Sequence, residues 1–113
     1  MNGAYIKTKD GATELRFTAR RAEKLEELLG ESLLRALTRA DRVSVLVRYI
    51  ECGADISHDE ALDLYDRYIA DGGSLDGAAE VIAAALENGG FIKRGTVDAA
   101  KKARGQLLKA QGS

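Results

Sequence analysis

Apolar and polar positions divide this chain into an extended opening and a series of short helices. Ile6, Leu15 and Phe17 fall on one face of a hairpin if the chain turns at Asp10-Gly11. That dipeptide suits a type I′ turn, which needs positive φ at both central positions. The pairing then sets Lys9 against Ala12, Lys7 against Glu14 and Ile6 against Leu15. Lys7 and Glu14 become an opposite-charge pair on the outer face. A two-stranded hairpin alone is marginal, so its apolar face is expected to lie on helices.

From Thr18 onward the apolar spacing changes to three and four. Thr18 can cap a helix whose face is Ala22, Leu25, Leu28 and Leu29, with Gly30 closing it. Ser32 can cap a second helix, lined by Leu33, Leu34 and Leu37. Over 42–52, Val43, Leu46, Val47 and Ile50 keep helical spacing and Gly53 reads as the stop. The β-branched content there also suits a strand, but length, spacing and the terminal Gly favour a helix. Ser57 to Glu60 is a capping box, in which hydroxyl and carboxylate satisfy reciprocal backbone donors. Leu62, Tyr65 and Ile69 then share a face with Tyr68 beside it, up to Gly72-Gly73. Ser74 opens a last helix with Leu75, Ala78, Ala79, Ile82 and Leu86 on its face and Gly89-Gly90 at its end. Beyond Phe91 only Val97, Leu107 and Leu108 are sizeable apolar residues, and Gly105 costs about 1 kcal/mol relative to Ala in a helix. Residues 97–110 therefore read as a marginal helix, or as disorder that orders on a partner. The expected fold is mainly α: an N-terminal β-hairpin (about 4–17) packed on a compact bundle of about five short helices. Residues 1–92 form the hairpin-plus-helix domain and 93–113 a basic C-terminal tail.

Composition agrees with one small domain. At 113 residues the chain can bury roughly two-thirds of its unfolded surface, so its core needs no disulfide or metal. The absence of Pro favours uninterrupted helices. No apolar run approaches a membrane span and no signal peptide is evident, so a reducing cytoplasmic setting is expected. The net charge of −1 conceals an asymmetry. Residues 1–90 hold eleven basic and seventeen acidic side chains, net −6, whereas residues 91–113 are net +5.

Chemistry is sparse. The lone Cys52 cannot form an internal disulfide and lacks metal-ligand partners at recognised spacings. His58, the one histidine, falls in the first turn of a helix, and no local spacing joins it to Cys52. Asp59, Glu60, Asp63 and Asp66 suggest a metal at first sight, yet first-turn acids are explained by the helix dipole. The stretch from Asp71 to Glu80 misses the calcium-loop spacing. Arg20-Arg21 opens a helix where positive charge meets the dipole unfavourably; a carboxylate such as Glu14, or plain solvation, would relieve it. Both Gly pairs follow helices, which is stop chemistry rather than a phosphate cradle. Tyr65 and Tyr68 read either as core with hydroxyls at the rim or as a partner surface. No catalytic residue, metal or cofactor is expected.

The order hairpin, "F-T-x-R", "EKLEELLG", "SLL-x-AL" over Leu15 to Leu37 resembles the tail assembly chaperones of long-tailed bacteriophages and related prophages. "S-x-D-E-A-x-D-L-Y-D-x-Y" from Ser57 to Tyr68, "G-G-S-L" from Gly72 and "ALENGGF" from Ala85 to Phe91 extend the likeness over residues 4–92. Arg48 to Gly53 departs from it, lacking a bulky Trp often seen nearby. The resemblance implies a small helical protein without enzymatic activity. It would bind the tape-measure protein, help tail-tube protein polymerise around it, self-associate as a homo-oligomer, work in the bacterial cytoplasm and be absent from the mature virion. It also implies that the chain is the short product of a pair made by ribosomal frameshifting. Tyr65, Tyr68, Phe91 and Ile92 are the expected partner-binding surface. Lys93, Arg94, Lys101, Lys102, Arg104 and Lys109 are expected to touch the tail-tube protein. The alternative is a small regulatory module whose basic tail contacts nucleic acid, in a steeply salt-dependent way; a helix-turn-helix in the folded body is disfavoured by its net acidic charge.

Overall fold

A computed structural model describes residues 3–93 and Gly95. Two antiparallel strands, β1 (Ala4–Thr8) and β2 (Gly11–Leu15), precede five helices. These are α1 (Ala19–Leu29), α2 (Leu33–Leu37), α3 (Val43–Ala54), α4 (His58–Ala70) and α5 (Leu75–Asn88). The fold is thus the mainly α hairpin-plus-bundle expected from the pattern. α3 is the central element and touches α1, α4, α5 and β2. Leu46, Val47, Tyr49, Ile50 and Cys52 are all buried on it. Fully burying a Leu or Ile is worth about 1.5–3 kcal/mol, so Leu25, Leu46, Ile50, Ile82 and Leu86 bind the bundle together.

The hairpin register differs from the expected one by two residues. Ala4 faces Leu15, Tyr5 faces Glu14, Ile6 faces Thr13 and Lys7 faces Ala12. Because the shift is even, Ile6 and Leu15 stay on the buried side, but Lys7 and Glu14 are not partners. The chain turns over Lys9-Asp10, and the positive φ falls on Gly11 (147°), which tolerates it, rather than on Asp10. Tertiary contacts hold that turn: the Lys9 N–H donates to the Asp71 carboxylate (2.7 Å), and Arg67 lies 3.8 Å from Asp10.

Capping follows the sequence closely. Thr18, Ser32, Ser57 and Ser74 each accept an N–H from the first turn of their helix, and the Ser57–Glu60 box is complete. Gly30 ends α1 in the left-handed region (φ 74°). Gly90 (φ 83°) follows α5, with the Phe91 N–H on the Leu86 carbonyl (2.9 Å), a Schellman closure. Gly53 is a correction. It does not stop α3 but lies buried within it, and Asp55 ends the helix (φ 57°). Asp tolerates that conformation through its short polar side chain. A Cβ on Gly53 would sit 3.0 Å from the Phe17 ring and 3.2 Å from the Leu15 Cβ. The glycine is therefore where the hairpin's end docks on α3, and the Arg16 N–H donates to its carbonyl (2.8 Å).

Several apolar residues expected inside face outward: Leu28, Leu34, Val43, Leu62 and Ile69. Alanines take their place. α2 buries Ala36 beside Leu33, and α4 buries Ala61, Leu64 and Tyr65. Each stripe still has helical spacing, but it is rotated toward small residues. Interaxial distance depends on the side chains at the contact, and buried alanines permit a close approach.

Candidate functional site

The most polar cluster joins α3 to α4. Glu51, the one buried charged residue among those described, places Oε1 2.9 Å from Arg48 Nη1 and 2.9 Å from His58 Nδ1. A carboxylate taken out of water is tolerable when both its neighbours are cations or hydrogen-bond donors. Here the three side chains tie the end of α3 to the start of α4. Beside it the Cys52 thiol is fully buried, and its pKa is pushed up to about 11, chiefly by burial and then by Glu51. At neutral pH only about one thiol in ten thousand is ionised, whereas a nucleophilic cysteine requires the opposite shift. Among the described residues no group of three His, Cys, Asp or Glu is placed to hold a metal ion. Nor is any described helix long and apolar enough to cross a membrane.

Arg21 resolves the basic pair at the start of α1. Its Nη1 donates to the Arg16 carbonyl (3.0 Å) and the Gly53 carbonyl (3.1 Å), with Asp55 3.8 Å away. The cation thus sits at the C-terminal, electronegative end of α3. Glu14 instead lies 3.9 Å from Arg16.

The expected partner surface is divided between two places. Tyr65 is in the core, at 9% exposure, and its ring centroid lies 6.5 Å from that of Tyr68. Burial raises the Tyr65 pKa, with smaller contributions from Tyr68 and Asp66. Tyr68 is half-buried and lies over Gly73 and Gly77, where a Cβ on Gly73 would approach the ring to 2.5 Å. Phe91 and Ile92 are half-buried beyond the other end of α5. Gly77 and Gly89 are twelve residues apart along that helix, or about 18 Å. The four side chains therefore do not make one patch. Lys93 is exposed, while Arg94, Lys101, Lys102, Arg104 and Lys109 lie outside the described residues.

Phe91 nevertheless belongs to a concave surface. Together with Ala19 and Ala22 of α1 and Leu33 and Leu34 of α2 it lines a groove of about 380 Å³, flanked by Glu23 and Glu26. Leu34 is 48% exposed there. The groove continues along α1 into a strip formed by Glu23, Glu26, Glu27, Glu31 and Ser32. Two structural contacts fix its walls. The Glu26 carboxylate accepts the Leu33 N–H (2.9 Å), and the Tyr49 hydroxyl donates to the Leu33 carbonyl. Burial, which outweighs the nearby Arg39, raises the Tyr49 hydroxyl pKa well above the usual tyrosine range, with a smaller push from Glu26. The sequence reading named Phe91 but missed the α1–α2 walls and their acidic rim. Two signals were present: Glu23, Glu26, Glu27 and Glu31 recur at helical spacing, and of three neighbouring leucines on so short a helix one must face outward.

Comparisons with family models, with curated proteins and with solved structures return no match for this chain.

Proposed function

We propose that the chain is a non-enzymatic tail assembly chaperone of the long-tailed phage type. In this reading it binds the tape-measure protein, assists polymerisation of tail-tube protein around it, and self-associates in the bacterial cytoplasm without entering the virion. The observation that carries the reading is the groove between α1 and α2. Its walls come from the Leu15–Leu37 block and its Phe91 from the "ALENGGF" block, so two stretches that carry the resemblance meet at one apolar concavity. Such a groove suits the apolar face of a partner helix, read through anchors spaced three and four apart. Leu34 and Phe91 are the anchoring side chains of the groove in this view, with Ile92 next to Phe91 in the chain. Tyr65 and Tyr68 hold α4 in place.

Co-expression with a tape-measure protein tests the proposal. The expected result is a long helical partner retained in the soluble fraction, and a marked loss of solubility with Leu34→Ser and Phe91→Ser. An insoluble partner in the presence of the folded wild-type chain would refute it. The charge asymmetry favours a second reading, a regulatory module whose basic tail contacts nucleic acid. That reading requires duplex binding that falls steeply with salt.

A further inference from the structure

We propose that in the free protein the α1–α2 groove holds the chain's own basic C-terminal segment, residues 96–113. The proposal rests on the groove and does not depend on the chaperone reading. Three observations point to this occupant. Phe91 lines the groove, and the segment begins only five residues later in the chain. Gly95, with φ 92° in the left-handed region that glycine tolerates, puts a turn immediately before the segment. Finally, the charges match. Residues 91–113 are net +5, and the strip along α1 presents Glu23, Glu26, Glu27 and Glu31.

The carboxylates on that strip are not equivalent. Glu26 is engaged with the Leu33 N–H and Glu31 with Arg39. Glu23 and Glu27 are exposed and make no ion pair with any described residue. They are the acidic groups free to receive Lys101, Lys102, Arg104 or Lys109. The apolar floor would take Leu107 and Leu108, adjacent residues in a segment otherwise rich in charge. Reach is sufficient. Eighteen residues extend to about 27 Å even as a helix, and α1 from Ala19 to Leu29 spans about 15 Å. A segment tethered at the groove's edge docks at high effective concentration, so weak individual contacts suffice.

The experiment is zero-length carbodiimide cross-linking of the full chain at low concentration, on an equal mixture of ordinary and nitrogen-15-labelled protein. Peptides are identified by mass spectrometry. The expected products join Lys101, Lys102 or Lys109 to Glu23, Glu27 or Glu31, with both halves carrying the same isotope. They should diminish in 1 M salt, where the screening length shrinks to about 3 Å. They should also be lost in a Leu107→Ser, Leu108→Ser chain, which keeps every lysine and glutamate and so reports docking rather than reactivity. Tail cross-links confined to other carboxylates, such as Asp63 and Asp66, would overturn the proposal. So would their absence, or mixed-isotope pairs, which would place the segment on a second copy.

Discussion

Gly53→Ala isolates the contact on which the hairpin's attachment depends. In an exposed helix the substitution would stabilise by about 1 kcal/mol, because glycine loses more backbone freedom on folding. Gly53 is helical with no positive φ, so the backbone accepts alanine. The new methyl, however, would lie 3.0 Å from the Phe17 ring and 3.2 Å from the Leu15 Cβ. Neither neighbour can easily retreat. Phe17 is 3% exposed and packs edge-on against Tyr49, centroids 6.4 Å apart, and the Leu15 Cβ moves only with β2. Overpacking of this kind costs about 1–3 kcal/mol. The expected balance is a net destabilisation of about 1 kcal/mol once the helix preference is subtracted. A urea titration should show the midpoint falling at constant slope, and a melt should shift by about 4 °C. In a Phe17→Leu background the ring contact is absent and only the Leu15 Cβ remains close, so the same change should cost clearly less. Stabilisation of the wild type by Gly53→Ala, or an identical cost in both backgrounds, would refute the packing argument.

Three further outcomes follow from the same geometry. Ser57→Ala should cost about 1 kcal/mol and Ser57→Gly only a few tenths, with equal losses in thermal melts counting against the capping box as the cause. Tyr65→Ala should lower stability by about 3 kcal/mol as a core truncation, whereas exposed Leu34→Ser should change it by under about 0.5 kcal/mol; chemical denaturation of both variants checks the contrast. Stability should also fall as the pH rises from about 9 to about 11. The unfolded Cys52 thiol ionises near 9.0 and the folded one near 11, so the native state holds a proton that the unfolded state has lost. That contribution is intact below the unfolded value and lost as the pH rises toward the folded one, to a limit of about 3 kcal/mol. Cys52→Ala should flatten this part of the profile in denaturant titrations, and an unchanged slope would exclude the thiol as its source.

Element ends were legible because they are local chemistry. Thr18, Ser32, Ser57 and Ser74 cap their helices with their own hydroxyls, and Gly30 ends α1 whatever surrounds it. The even hairpin shift shows the limit of such reasoning. Alternation assigned the faces of β1 and β2 correctly, but the turn position depends on Asp71, sixty-two residues from Lys9. Similarly, Gly53 carries the same local signature as a helix stop. Only the approach of Phe17 reveals it as a docking point inside α3.

The sequence by itself determined a hairpin followed by five short helices, the side-chain caps that open four of them, and the opposition of an acidic body to a basic tail. Periodicity, capping groups and charge are properties of neighbours along the chain. The tertiary structure alone decided which stripe of each helix is buried, since small alanines permit closer approach than the larger leucines beside them. It also decided that Tyr65 is core and that Phe91 meets α1 and α2 in a groove rimmed by glutamates. Those outcomes depend on distances between residues far apart in sequence, where packing, and not local preference, sets the free energy.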